Sequence, residues 1–226
     1  MAYIGLALFA EGPTDHRFLR PLLRRACEYL CLRYAVRSVE IGDVAEIHTP
    51  KEYRNAERET RIFEAARRSM GSWHLLFIHT DGAGDPQRAK EERVCPASDR
   101  IKNELQNNTR QTVGVVPIRE TEAWCLADGD ALRLAFGTTL SNRELGLPEK
   151  AGEVETILDP KNKLDEVYQK ARQRRSGLRR RVSGANFLDL IGEYVSVDVL
   201  EGVPAFRAFE KNLYDALVGF GYIIEE

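Results

Sequence analysis

Residues Ala2-Tyr3-Ile4-Gly5-Leu6-Ala7-Leu8-Phe9 form a run with no charged side chain, and it stops abruptly at Ala10-Glu11-Gly12-Pro13. A short run without polar alternation is the pattern of a strand buried on both faces, which belongs in a parallel sheet covered by helices. After the Gly-Pro turn, with Thr14 or Asp15 as N-cap, Phe18, Leu19, Leu22, Leu23, Ala26, Cys27 and Leu30 recur at helical spacing. A buried strand feeding straight into a helix opens a doubly wound α/β unit. Glu11 then stands just past the carboxyl end of that strand, where open α/β sheets place their ligands. A carboxylate there needs a cation to meet.

The chain repeats the alternation. Val36 to Ile41 reads as a weaker, more exposed second strand, and Glu52 to Met70 as an amphipathic helix stopped by Gly71 and Ser72. Trp73 to His79 is the second buried run, ending in the acidic turn Thr80-Asp81-Gly82-Ala83-Gly84-Asp85-Pro86. Ala97 to Asn108 is helical by pattern. Thr112 to Ile118 is the last strand, and it runs into Arg119-Glu120-Thr121-Glu122-Ala123-Trp124. This order predicts an α/β fold over residues 1–122: a four-stranded parallel sheet with right-handed crossovers, flanked by helices.

From Trp124 the pattern changes to helices and loops. Ala123 to Ala135 reads as helix with a break near Gly129, and Gly137 to Pro160 as mostly irregular. Lys163 to Gln173, Asn186 to Tyr194 and Ala205 to Phe220 read as helices, with Pro204 starting the last. No linker intervenes, so residues 123–226 are expected as a helical C-terminal extension packed on the sheet.

Charge excludes little. Lys and Arg number 33 against 35 Asp and Glu, a formal charge of −2, so any nucleic-acid contact has to come from local clustering. The one dense basic stretch runs from Arg172 to Arg181. No segment reaches membrane-spanning length, and the opening run lacks the cationic start and small-residue cleavage site of a signal peptide. Cys27, Cys31, Cys95 and Cys125 show no framework spacing, so the chain reads as a cytoplasmic protein with reduced thiols. Cys27 and Cys31 share a helix face without a nearby histidine and read as small buried apolar groups.

The chemical expectation is that Glu11, Asp81, Asp85 and Glu120 or Glu122 converge at the carboxyl edge of one sheet. Neighbouring strands lie about 4.8 Å apart, so carboxylates beyond adjacent strand ends can share one ion, or two about 4 Å apart. Ligands that are all oxygen favour hard cations, Mg²⁺ first and Mn²⁺ second. Bare carboxylates that close raise one another's pKa values, a conflict that a divalent cation resolves. Each residue alone has an ordinary explanation: an exposed loop residue, a turn former, acidic residues in a helix's first turn. Their common position after strands favours the metal site. An arginine lodged between Glu11 and Asp81 would count against it.

The motif Glu11-Gly12-Pro13-Thr14-Asp15 after a first strand, with an aspartate loop after a later one, resembles the Toprim fold of topoisomerases, primases and OLD-type nucleases. Beyond that first half, the whole chain is similar to a bacterial Toprim-like family of unknown function found beside ATP-binding partners in defence or mobile loci. Glu120-Thr121-Glu122-Ala123-Trp124, Asp159-Pro160-Lys161 and the segment around Pro204-Ala205-Phe206 carry that second likeness. The resemblance implies Glu11 as general acid/base or metal ligand and Asp81 as the first member of an Asp-x-Asp pair. The second member falls on Ala83, and Asp85 two residues later is the candidate substitute. Glu120 and Glu122 match the acidic motif that completes a second ion's shell.

The implied reaction is Mg²⁺-dependent (or Mn²⁺-dependent) hydrolysis of DNA or RNA, with Lys161 or Lys163 balancing charge. Arg172, Arg174, Arg175, Arg179, Arg180 and Arg181 would hold phosphates. An ATP-binding partner protein is implied by the resemblance alone; the chain has no Gly-rich Lys-Ser/Thr phosphate loop of its own. Two rivals stand: a catalytically silent interaction subunit, for which Ala83 speaks, and a small-molecule phosphohydrolase. A haloacid-dehalogenase type is disfavoured, because its nucleophilic aspartate belongs where Glu11 stands. Trp124 reads as packing beneath the site, and His79 as a hydrogen-bonded core imidazole.

Overall fold

A computed structural model describes residues 2–105, 109–172 and 183–223. Strands β1 (Ala2–Phe9), β2 (Val39–Glu46), β3 (Leu75–His79) and β4 (Gln111–Val115) form one all-parallel sheet in the order β2-β1-β3-β4. The two most apolar runs occupy the middle, where both faces are covered, and the less apolar β2 takes an edge. The expected α/β class holds.

The helices in the sheet half are α1 (Pro13–Tyr34), α2 (Arg58–Arg68), α3 (Pro86–Arg93) and α4 (Cys95–Glu104). Beyond it come α5 (Glu122–Cys125), α6 (Gly129–Phe136), α7 (Asn142–Leu145), α8 (Pro160–Arg172), α9 (Leu188–Tyr194), α10 (Val197–Leu200) and α11 (Pro204–Gly219). None of the described helices is long and apolar enough to cross a membrane.

The period of two along each strand divides the core. Leu6 and Leu8 of β1, with Leu75 and Phe77 of β3, join α1 and the helices beyond residue 122 in one cluster. Ala7, Phe9, Leu76 and Ile78 join Ile62 and Phe63 of α2 and Ile101 of α4 in a second cluster on the opposite face. The extension supplies much of the first. Trp124 meets Phe206 edge-on at 5.2 Å, and Phe209 of α11 lies 6.1 Å from Phe77 in the sheet.

Several boundaries differ from the sequence reading: the helix read from Glu52 starts at Arg58, and the last strand ends at Val115 instead of Ile118. The second strand is Val39–Glu46, not Val36 to Ile41. The register moves from Ile4↔Ile41 to Leu6↔Val44, so β2 carries one extra residue and its buried side chains fall three apart. That breaks the alternation at the point where the pattern looked finished. The loop after β3 runs into α3, which buries only Ala89 and so has no hydrophobic periodicity to betray it. The break in Ala123 to Ala135 falls at Leu126–Asp128, where the Asp128 carboxylate accepts the amides of Asp130 and Ala131 and starts α6.

Candidate active site

The sheet register levels the ends of three strands. Phe9 lies opposite Ile78, and His79 opposite Val115, so the segments leaving β1, β3 and β4 begin side by side. The loop after β3 is fastened to the chain after β4. The Gly82 amide donates to Pro117 O at 3.0 Å, and the Gly84 amide to Ile118 O at 2.7 Å. A Cβ on Gly82 would stand 2.3 Å from Pro117 O, so only glycine permits that approach. The first turn of α1 points Asp15 back toward the strand ends. Its carboxylate accepts the Gly12 amide at 3.0 Å and the Thr121 hydroxyl at 3.2 Å.

Donor atoms of Asp15, His79 and Asp81 consequently lie within 4.8 Å of one another. His79 is fully buried, and burial holds its pKa down at about 3, so the ring is neutral. Its Nε2 is 3.0 Å from Thr121 Oγ1 and 3.6 Å from Asp81 Oδ1; its Nδ1 is 3.8 Å from Asp15 Oδ2. With Asp15 ionised, the Thr121 proton goes to its carboxylate, so His79 Nε2–H donates to Thr121 and Nδ1 keeps a lone pair. That lone pair and Asp81 Oδ1 are buried acceptors without a hydrogen-bond partner. The Nδ1 lone pair faces the Asp15 Oδ2 acceptor across 3.8 Å, and such a pair, with Asp81 nearby, invites a cation.

Electrostatics agrees. Burial pushes Asp81 up to about 7, assisted by the charges of Asp15, Glu122, Glu11 and Glu120 in that order. Burial also raises Asp15 and Glu122, while the positive charge of Lys161 pulls both the other way. Five carboxylates from three strand ends thus act on one another. A divalent cation would remove that repulsion, and carboxylates with one imidazole suit Mg²⁺ or Mn²⁺, the imidazole favouring the latter.

Of the residues marked in the sequence, Glu11, Asp81, Glu120 and Glu122 are brought together. Lys161 joins them: its amide donates to Glu120 Oε2 at 3.3 Å, docking the start of α8 on the site. Lys163 is turned elsewhere, 3.6 Å from Glu166. Asp85 is spent as the N-cap of α3, accepting the Arg88 amide at 3.0 Å, and Ala83 beside it takes a left-handed φ of 50°. Arg174, Arg175, Arg179, Arg180 and Arg181 lie outside the described residues, and Arg172 closes α8.

Asp15 was read only as an N-cap candidate beside Thr14, a place that Gly12 takes with Asp15 three residues on; Thr121 and Arg58 were given no role, and His79 was expected as plain core. Arg58 forms an ion pair with Glu11, and its other nitrogens donate to His79 O at 2.8 Å and Arg93 O at 3.0 Å. Thr80 shares the same Glu11 oxygen, at 3.3 Å. An arginine thus does sit on Glu11, while the charges that act most on Asp81 are the carboxylates of Asp15, Glu122, Glu11 and Glu120. The pairs Glu11-x-x-x-Asp15 and His79-x-Asp81 were the available signals for two of these residues; nothing local marks Arg58.

Residues 10–213 match the model of a family described as a domain of unknown function, DUF4276. No curated protein and no solved structure matches the chain.

Proposed function

The chain belongs to the DUF4276 family, and from that premise we propose that it hydrolyses phosphodiester bonds of DNA or RNA, using Mg²⁺ or Mn²⁺ and working beside an ATP-binding partner protein. The observation that carries the reading is the gathering of Glu11, Asp15, Asp81, Glu120 and Glu122 around the unpartnered atoms of Asp81 and His79. Asp15, Asp81 and Glu122 would hold the ion and His79 would fill the remaining nitrogen position. The ion supplies Lewis acidity toward a phosphoryl oxygen and an acidified water.

The chain's own groups do the rest. Glu11, with its side chain 41% exposed, accepts the proton of the attacking water. Arg58 holds one Glu11 oxygen and so fixes the direction of the other. Lys161 faces the charge that develops as the phosphorus–oxygen bond to the leaving group breaks. The nucleic-acid substrate and the partner rest on the Toprim resemblance and on the basic stretch around Arg172.

A metal-dependent nuclease assay with the partner present tests this. Wild type is expected to cleave, and Asp81→Asn and Glu11→Ala to lose activity by about a hundredfold or more, the scale of removing a general base. Wild type that binds Mg²⁺ or Mn²⁺ in calorimetry yet cleaves neither DNA nor RNA would overturn the substrate.

The rival reading, a silent interaction subunit, is favoured by Ala83 in the Asp-x-Asp position and by the ion pair on Glu11. Calorimetry separates the two, since a silent subunit takes up neither metal.

A further inference from the structure

A second cluster lies on the other side of α1's first turn. We propose that His16, Glu46 and His48 form a separate binding site for a borderline transition-metal ion, Zn²⁺ first. The inference does not depend on the activity proposed above, because no residue is shared.

The geometry follows from how β2 ends. Past Glu46 the chain stays extended, with the Ile47 amide donating to Leu8 O at 3.1 Å. Ile47 is buried, so the residues on either side of it, Glu46 and His48, leave the chain on the same opposite face. That face meets α1, where His16 is 6% exposed and its Nδ1 has no hydrogen-bond partner. A ring nitrogen of each histidine and a carboxylate oxygen of Glu46 lie within 4.8 Å of one another. The two rings stand edge to face, with centroids 5.6 Å apart.

Glu46 is already oriented. Its Oε1 accepts Arg20 Nη1 at 2.8 Å, and Arg20 is itself held by Nε donating to Val44 O at 2.9 Å. The other oxygen, Oε2, is left 3.5 Å from His48 Nε2. Ligands about 2.0–2.1 Å from a tetrahedral Zn²⁺ are separated by about 3.3 Å, so this pair already has the spacing and only small rotations remain. Two imidazoles and one carboxylate are a set for Zn²⁺ rather than Mg²⁺, and three protein ligands leave a position for water. His48 is exposed, which gives the ion an entry path.

Calorimetric titration of Zn²⁺ into the full chain, with Co²⁺ absorption as a second readout, tests the site. Wild type should bind one ion here, with a Co²⁺ spectrum free of thiolate charge transfer. His48→Ala, a surface change, should weaken binding by about tenfold or more, at least what losing an outer partner costs. Glu46→Gln should do likewise, and the Zn²⁺ binding event that His48→Ala weakens should persist in Asp81→Asn, whose own loss is confined to an ion held by the carboxylate cluster. Absence of Zn²⁺ binding, an isotherm that His48→Ala and Glu46→Gln leave unaltered, a thiolate spectrum, or loss of every Zn²⁺ event in Asp81→Asn would each overturn the proposal.

Discussion

Asp81 sets the acid–base behaviour of the carboxylate cluster. Its folded pKa of about 7 lies above the ordinary 3.8, so the folded chain binds a proton that the unfolded chain has released. Between those values stability falls as pH rises; the contribution is whole below about 4 and gone above about 7. Asp15 and Glu122 are shifted the same way and add to the slope. Metal-free protein should therefore melt at a lower temperature at pH 8 than at pH 5, and Mg²⁺ or Mn²⁺ should restore the loss at pH 8. Asp81→Asn should raise the metal-free melting temperature at pH 8 by about 2–4 °C, the response to about 1 kcal/mol in a chain of this size. That figure is discounted for solvent screening at a side chain left 40% exposed. A scan showing equal melting of both proteins at pH 8 would separate Asp81 from the other carboxylates. Glu11, Asp81, Glu120 and Glu122 were legible in the sequence because each follows an apolar run. Asp15 and His79 were not, since an N-cap and a core imidazole explain them locally. Arg58 reaches Glu11 only across the fold, and no local pattern records that.

Among the elements, the loop after β3 decides whether the cluster exists. Its amides at Gly82 and Gly84 hold it to the chain after β4, and that is what sets Asp81 beside Glu120 and Glu122. Gly82→Ala drives a methyl into the Pro117 and Ile118 carbonyls, which are backbone and cannot swing aside. The expected cost is about 1–3 kcal/mol, the range for overpacking. The loops should separate, so the pH dependence of stability should flatten along with it. Urea unfolding of Gly82→Ala at pH 5 and pH 8 measures both effects, and an unchanged slope would locate the repulsion elsewhere. Elements were legible where their hydrophobic period was intact: β1, β3 and α1 fall where the pattern put them, and α2 lies within Glu52 to Met70 but starts only at Arg58. The extra residue in β2 and the polar surface of α3 erased the period, so β2 was misplaced and α3 went unseen.

For the molecule as a whole, the question is whether the sheet and the C-terminal helices unfold together. Trp73 lies in the cluster packed under α2 and α4, whereas Trp124 lies in the cluster shared by α1, α9 and α11. Both clusters insert side chains of β1 and β3, Ala7 and Phe9 into one and Leu6 and Leu8 into the other, so neither can empty without baring a face of the same strands. Exposing a sheet face costs far more than the net stability a chain of this kind holds, which makes partial unfolding unfavourable. The two tryptophans are the only ones in the chain, so each reports one face once the other is changed to phenylalanine. Urea unfolding of Trp73→Phe followed at Trp124, and of Trp124→Phe followed at Trp73, should each superimpose on the same variant's far-ultraviolet circular dichroism. Within either variant, a fluorescence midpoint that departs from the dichroism midpoint would mean that the extension melts off a sheet that survives it. Because Glu122 and Lys161 reach the cluster from that extension, the site would then be lost before the sheet.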